Sequence, residues 1–169
     1  MSDVADYDTD ILLWSERQAA LLRDLKTRAS GLPNELDLEN VAEEIESVGR
    51  SEQRAFESYL TQIFVHLMKA ASNPDPRLRA DWASEILSFQ HEALRAMTPS
   101  MLKRLNLQET WRFALHKARV ELRKHGETMS GVPRSCPFEA AILLVEEPLE
   151  LEPMLAAMRT RADAEARPD

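Results

Sequence analysis

Apolar residues recur at intervals of three and four along most of the chain, which is the spacing of one face of an α-helix. The first such stripe predicts a helix that begins near Asp8 or Thr9 and ends near Arg28. The segment Ser30-Gly31-Leu32-Pro33 follows and stops it. Its in-phase positions are Tyr7, Ile11, Trp14, Gln18, Leu21, Leu22 and Leu25. The periodicity therefore predicts an amphipathic first helix.

The second stripe is the longest and predicts a helix over residues 38–72. Asp37 is a plausible N-cap, and Asn73-Pro74-Asp75-Pro76 ends the pattern. A helix of that length measures about 50 Å, which is more than a domain of this size needs. Gly49 costs about 1 kcal/mol relative to alanine in a helix interior, so a bend is expected there. The stripe itself runs through Leu38, Val41, Ile45, Val48, Phe56, Tyr59, Leu60, Ile63, Phe64, Leu67 and Met68.

The rest of the chain predicts shorter helices. They are a helix over 77–96, a short one capped by Thr98 with Pro99 in its first turn, one opened by Asn106 and ended by Gly126, and one over 138–145. A weak turn around Met154 precedes a charged end that we expect to fray. We therefore predict an all-α bundle of five to six helices with one long central helix. It forms a single helical domain over residues 1–148, followed by a weakly helical or frayed extension over 149–169.

Composition narrows the class of protein. The 169 residues are 44% hydrophobic and 30% charged, as in ordinary globular proteins. Cys136 is the only cysteine, which excludes an intramolecular disulfide and a four-thiolate zinc site. The net charge of −8 disfavours binding to nucleic acid. The acidic residues 1–6 lack the apolar core of a signal peptide, and no apolar run is long enough to span a membrane. We expect a cytoplasmic protein.

Four motifs together resemble a known family. They are Tyr7-Asp8-Thr9-Asp10 with Trp14, the run Asp-Leu-Glu-Asn-Val-Ala-Glu-Glu-Ile-Glu-Ser-Val-Gly-Arg-Ser-Glu over 37–52, His66-Leu67-Met68-Lys69, and Cys136-Pro137-Phe138. Over about residues 6–146 the chain resembles the bacterial helical family known as "domain of unknown function 29". The resemblance implies a helical fold in a bacterial cytoplasm and supplies no catalytic residues. The sequence departs from the family pattern at residues 11–13 and at Ala70, which indicates local repacking.

The acidic start of the second helix is the first candidate site. Glu39, Glu43 and Glu46 are spaced by four and three, so they project from one side of the helix. Such carboxylates hold Mg²⁺ or Mn²⁺ when a second helix supplies further oxygens, and only Asp81 and Glu85 come close to that role. The simpler interpretation is a solvated face with an i,i+4 ion pair between Glu46 and Arg50.

Glu52 and His66 both fall on or near the apolar stripe. A carboxylate at a buried position needs a partner, for which Arg112 and Arg119 are available in a structural ion pair, unless it is a functional carboxylate or belongs to a dimer interface. His66 is interpreted as a core histidine bound to a neighbour. Fourteen residues separate it from Glu52, or roughly 21 Å along a straight helix, so the two do not share a ligand within one chain.

A basic strip on the fifth helix is the next candidate. Arg112, His116, Arg119 and Arg123 follow a four-three-four spacing, with Lys117 and Lys124 alongside. The strip is suited to phosphate, nucleic acid or an acidic partner. The overall acidity favours pairing with the acidic face around Glu43, within the bundle or across a dimer.

Cys136 precedes Pro137 at a helix start, where a helix dipole can lower the pKa of a thiol. No histidine is close to it in the sequence. A small buried hydrophobic residue is the favoured interpretation, and a nucleophile is the alternative.

These features favour a non-enzymatic helical interaction or regulatory module that acts as a homodimer through its second helix. The candidate interaction positions are Glu43, Glu46, Arg50, Glu52, His66, Arg112 and Arg119. We expect its partner to be a second copy or another protein, and neither a membrane nor nucleic acid, with no cofactor. The alternative is a divalent-metal-dependent hydrolase of nucleotide type that uses Glu39, Glu43 and Glu46.

Overall fold

A computed structural model describes residues 6–167. Within this range the chain forms seven α-helices and no strand. They are α1 (Ile11–Arg28), α2 (Leu38–Ser72), α3 (Pro76–Ala96), α4 (Pro99–Arg104), α5 (Leu107–Lys124), α6 (Ala140–Leu143) and α7 (Leu151–Ala166). The predicted all-α class and the long central helix are confirmed. Residues 1–5, which carry most of the argument against a signal peptide, lie outside the described residues, as do 168–169.

Side-chain caps set where the helices begin. The Asp10 carboxylate accepts a hydrogen bond from the Leu13 amide at 3.1 Å, and α1 begins at Ile11, three residues later than the earliest predicted position. The predicted caps of the other helices are present as well. They are Asp37 with the Asn40 amide, Thr98 with the Met101 amide and Asn106 with the Glu109 amide. Among the described helices, none combines the length and apolar character needed to cross a membrane.

The chain divides into two compact units, and the division falls inside α2. The first unit contains the residues up to Ala55 together with Ala96–Leu105, and the second contains Phe56–Arg95 and the chain from Asn106 onward. The single domain over 1–148 stays a prediction, because two compact units within a chain do not show whether either of them folds on its own.

In the first unit, α1 and α2 approach closely through small residues. Ser15 and Ala19 on α1 are fully buried, as is Ala42 on α2. A Cβ added at Gly49 would lie 2.1 Å from Ser15 Oγ and 3.0 Å from Leu12 Cα. Gly49 is therefore a contact point between two helices, and α2 is continuous through it.

The buried face of α2 in this unit differs from the predicted one. Val41 and Val48 remain 42% and 45% exposed, whereas Leu38 and Ala42 are buried, as is Gly49. At about 100° per residue, the buried face lies some 90° around the helix from the valines. The prediction that Val41 and Val48 face the core was wrong, because the neighbouring helix packs against small side chains.

The second unit has an aromatic core. Phe64 of α2 contacts Trp111 of α5 edge to face, with ring centroids 5.0 Å apart, and Phe138 packs against both rings. Trp111 is fully buried, and its Nε1 donates a hydrogen bond to the Pro133 carbonyl at 3.1 Å. The indole thus joins α5 to the loop that follows it, because a buried N–H needs an acceptor.

The C-terminal extension forms a longer helix than the weak turn expected from the sequence. In α7, Met154, Leu155 and Met158 are buried at helical spacing. Before α7, the side chain of the buried Gln90 holds the chain over 145–149. Its Nε2 donates to the carbonyls of Val145 and Glu147 at 2.8 and 2.9 Å, and its Oε1 accepts from the Leu149 amide at 3.0 Å.

Candidate functional site

The acidic face of α2 is bound by an arginine of α1. Arg23 Nε lies 3.0 Å from Glu39 Oε1, and Arg23 Nη2 lies 2.9 Å from Glu46 Oε2. Arg50 lies 3.5 Å from Glu46, as the i,i+4 spacing predicted, while Glu43 is exposed. One guanidinium group therefore joins two of the three predicted metal ligands.

The same geometry removes support for the predicted metal site. In the part of the chain that the structure describes, no three His, Cys, Asp or Glu side chains lie close enough to hold one ion. A cation at Glu39 and Glu46 would have to displace Arg23. Glu85, the residue considered as a further ligand, lies instead against His66.

Glu52 is exposed, so the prediction that it occupies a buried position was wrong. It lies at the edge of α2 that also carries Val41 and Val48. A solvated carboxylate bears no large desolvation cost, so folding does not require the predicted partnership with Arg112 or Arg119. A dimer interface remains as the second interpretation given for this residue.

His66 is a core histidine next to one carboxylate. Its Nδ1 lies 2.9 Å from Glu85 Oε2, although the two atoms are not aligned as a hydrogen bond, and its ring stacks on Phe89. Burial lowers the pKa of His66, with a further contribution from Lys69, against the opposing effect of Glu85. The imidazole is therefore mainly neutral at pH 7, which suits packing better than ion pairing.

The basic strip does not pair with the carboxylates near it. Arg112, Arg119 and Arg123 are exposed, and no described carboxylate of the second unit lies within 4.0 Å of their guanidinium nitrogens. The expected pairing with the acidic face around Glu43, which belongs to the first unit, stays a prediction. Arg119 and Arg123 instead line a pocket of about 520 Å³ against the loop over residues 127–134.

That loop brings in a third arginine. Arg134 lines the same pocket as Arg119 and Arg123, although at least eleven residues separate it from either in the sequence. Arg134 could not be identified as a site residue from the sequence, because it lies outside every helical pattern. The loop over residues 127–134 folds back against α5 and brings Arg134 to the same pocket, and no local sequence pattern indicates this path. We call the cavity lined by Arg119, Arg123 and Arg134 the arginine pocket.

The first half of the loop is tied to the end of α2. Asn73 Nδ2 donates to Glu127 Oε1 at 2.7 Å. The Ser130 amide donates to Ser72 Oγ at 3.1 Å, and Ser72 Oγ lies 3.3 Å from the Ser130 carbonyl oxygen. These contacts fix the chain on both sides of Met129.

The second half is tied to α5 and α7. Trp111 donates to the Pro133 carbonyl, and the Glu165 carboxylate accepts the amides of Arg134 and Ser135 at 2.6 and 3.1 Å. The Ser135 hydroxyl also donates to Glu165. The backbone at Arg134 is therefore held through its amide. Its guanidinium group has no partner among the described residues.

Cys136 is buried beside this loop. Its Sγ lies 3.6 Å from the Phe138 carbonyl, and Gln108 makes hydrogen bonds to both its amide and its carbonyl. Burial raises the pKa of the Cys136 thiol, so the thiolate that a nucleophile requires is disfavoured. The structure agrees with the favoured interpretation of a small buried hydrophobic residue.

We therefore expect Cys136 to react slowly with a thiol reagent in the native protein. At mildly alkaline pH the rate should be at least about 100-fold below that of the unfolded chain, since both access and thiolate fraction are reduced. Ellman's reagent, with and without denaturant, measures the difference. Equal rates in the two states would contradict burial of the thiol.

With this geometry established, comparison with known proteins identifies the family. The family model described as "Domain of unknown function DUF29" matches residues 7–148. The chain belongs to this family. No curated protein matches the chain significantly.

A solved structure has a similar fold. An alpha-helical protein of unknown function from Rhodospirillum rubrum ATCC 11170 is 35% identical in sequence, with a TM-score of 0.81. The match covers 90% of the present chain and 96% of that chain. The DUF29 match covers nearly the same residues as the resemblance noted in the motifs, and α7 lies beyond it.

Proposed function

We propose that this chain is a non-enzymatic helical interaction module that forms a homodimer through one exposed stripe of α2. The α2 stripe consists of Val41, Ile45, Val48 and Glu52. The observation that carries the proposal is the exposure of Val41 and Val48, which lie two helical turns apart on one side of the helix. Single exposed apolar residues are common, but a row of them along one helix is typical of a contact surface.

Two apolar residues of α1 are also exposed in this unit. Leu21 and Leu25 are 60% and 43% exposed at i,i+4 spacing. A stable interface buries about 1,200–2,000 Å² in total, which is more than three side chains on one helix supply. Leu21 and Leu25 lie about 120° around α1 from Ser15 and Ala19, which face α2, so they are not part of the proposed interface, which is centred on the α2 stripe.

The position of Glu52 favours an antiparallel arrangement of the two α2 helices. A parallel pair in register would bring the two Glu52 carboxylates side by side, where their repulsion is destabilising. In an antiparallel pair centred between Ile45 and Val48, each Glu52 lies about 8 Å from the two-fold axis along the helix, so the carboxylates sit about 16 Å apart. Both remain at the rim of the interface, where water still solvates them.

Val48→Lys is the variant that tests this interface. We expect its dimer dissociation constant to rise at least about tenfold, because a buried unpaired ammonium costs more than the 1.4 kcal/mol that a tenfold change represents. Sedimentation equilibrium over a concentration series measures the constant. Circular dichroism should show unchanged helix content, because Val48 is largely exposed in the single chain.

Ser51→Lys is the matched control. Ser51 is also exposed on α2, about 90° around the helix from the middle of the α2 stripe, so the added charge should leave the dissociation constant within about twofold. A wild-type chain that stays monomeric over the whole series would contradict the homodimer. Equal weakening by both lysine variants would place the interface elsewhere.

A further inference from the structure

We propose that the arginine pocket binds the phosphate group of a small phosphorylated molecule. This inference is independent of the proposed dimer, because every residue of the pocket belongs to the second unit and none lies on the α2 stripe. The polar and charged side chains that line it include those of Arg119, Arg123, Arg134, Glu127, Thr128 and Ser130.

The three guanidinium groups have no role in holding the described fold together. Some arginines of the chain do bind carboxylates or carbonyls: Arg104 forms a paired contact with Glu16, and Arg79 donates to two carbonyls at the end of α2. Arg119, Arg123 and Arg134 form no side-chain hydrogen bond or ion pair with any described residue. Three like charges around one cavity repel one another, and this repulsion raises the free energy of the folded protein. An anion bound between them would lower that free energy.

Guanidinium chemistry points to an oxyanion with several acceptor atoms. Each group presents a planar fork of donors that fits two oxygens of a phosphate. Two such groups come from successive turns of α5, and the third comes from the loop over residues 127–134. A tetrahedral dianion can accept from three directions at once, whereas a planar carboxylate offers two oxygens in one plane. The arrangement therefore favours phosphate over a carboxylate of the same charge.

Glu127 also lines the pocket and contributes one negative charge to it. Its Oε1 accepts a hydrogen bond from Asn73, which holds the carboxylate at the wall beside the end of α2. One carboxylate against three guanidinium groups leaves the pocket positive, in a chain whose overall charge is −8. The hydroxyls of Thr128 and Ser130 add neutral donors or acceptors at the loop side.

The pocket is built before any ligand arrives. The ties of residues 127–135 to Ser72, Asn73, Trp111 and Glu165 hold the loop at both ends. Binding to a fixed loop avoids the entropy cost of ordering it, which preserves affinity. The volume of about 520 Å³ lies within the range of about 300–1,000 Å³ common for small-molecule sites. It exceeds the size of a phosphate ion, so the organic part of a phosphorylated molecule fits beside the arginines.

Inorganic phosphate is the probe for the test, with succinate as a dianion of carboxylate chemistry. Isothermal titration calorimetry of the full chain, at constant ionic strength set with chloride, measures both affinities. We expect phosphate to bind, and succinate to bind at least about tenfold more weakly, because phosphate places its charge and all its acceptor oxygens on one tetrahedral group whereas succinate divides them between two planar groups. Equal binding of the two dianions, or no binding of phosphate, would overturn the proposal.

Arg134→Gln is the decisive variant. The contact with Glu165 uses the Arg134 amide, so the substitution removes the charge and leaves the loop attachment in place. We expect phosphate affinity to fall about tenfold or more, with the melting temperature in chloride unchanged. Arg123→Gln should act in the same way from the α5 side. An unchanged phosphate affinity in both variants would overturn the assignment of the site.

Arg112→Gln is the matched control, since Arg112 is exposed on α5 but does not line the pocket. It removes one positive charge from the same helix and should leave phosphate affinity within about twofold. A loss equal to that of Arg134→Gln would mean that phosphate responds only to total charge. A single-stranded oligonucleotide that binds more tightly than phosphate, with steep salt dependence, would show a nucleic-acid surface and reject the small-molecule assignment.

Discussion

Replacing Gly49 with alanine is expected to lower the free energy of unfolding by about 2 kcal/mol, in the range measured for overpacked cores. The added methyl would lie 2.1 Å from Ser15 Oγ and 3.0 Å from the Leu12 backbone. Ser15 is fully buried, and its hydroxyl donates to the Leu12 carbonyl at 2.9 Å, so turning it aside breaks a buried hydrogen bond. Urea unfolding should show a lower midpoint with an unchanged slope.

The sign of this effect separates two explanations for the glycine. In a helix with free space at that position, alanine would stabilise by about 1 kcal/mol through helix propensity. Ser51→Ala, at an exposed position of α2, is the matched control and should change stability by only a few tenths of a kcal/mol. Ser15→Ala combined with Gly49→Ala should recover part of the loss, as expected for residues in contact. A more stable Gly49→Ala protein would mean that α1 and α2 do not approach closely here.

The extent of the helices could be predicted because the signals that end and begin them are local. Asp37, Thr98 and Asn106 cap helices through amides three residues ahead, and proline segments follow or open others. Such contacts depend on a few neighbouring residues, so the sequence displays them directly. The bounds of α2 are accordingly the predicted ones.

The buried face of α2 could not be predicted from the same pattern. Hydrophobic periodicity ranks a face by the size of its apolar side chains, and Val41 and Val48 outrank Ala42 and Gly49 on that scale. The closest helix contact uses the smallest residues, because they allow the two backbones to approach. The apolar stripe therefore predicted burial for a face of α2 that lies beside the buried one. Glu52 lies on that exposed face, so its predicted burial was wrong as well.

The candidate sites depended on contacts that are distant in the sequence. Arg23 reaches Glu39 and Glu46 across the α1–α2 turn, which changes a predicted metal face into an ion-pair cluster. The arginine pocket depends on a loop whose attachments come from three separate helices. The sequence did supply two members of that pocket, Arg119 and Arg123, because helical spacing alone places them on one side of α5.

Asp10→Asn is expected to cost about 3 kcal/mol at neutral pH, through the loss of charge-assisted hydrogen bonds at a buried site. The Asp10 carboxylate accepts from the Leu13 amide, the Thr98 hydroxyl, and both the amide and the hydroxyl of Ser100, at 2.6–3.1 Å. It thereby joins the start of α1 to the start of α4. An asparagine must turn its NH₂ group toward at least one of these donors, which leaves two donors facing each other. Asp8→Asn, at an exposed position, is the control and should be nearly neutral.

The cost of Asp10→Asn should also depend on pH, in a direction that the same contacts fix. Burial alone would raise the pKa of Asp10, but the hydrogen bonds from Ser100, Leu13 and Thr98 outweigh it and hold the pKa below its usual value. A carboxyl whose pKa is lower in the folded state stabilises the protein above the unfolded-state pKa of about 3.9, and this contribution is lost as pH falls through the folded-state value. The difference in unfolding free energy between wild type and Asp10→Asn should therefore be constant above about pH 5 and shrink below about pH 4. Urea unfolding from pH 7 down to pH 3 measures it. A difference that stays constant over the whole range would mean that the charge of Asp10 contributes nothing, and that shape alone joins the two helices.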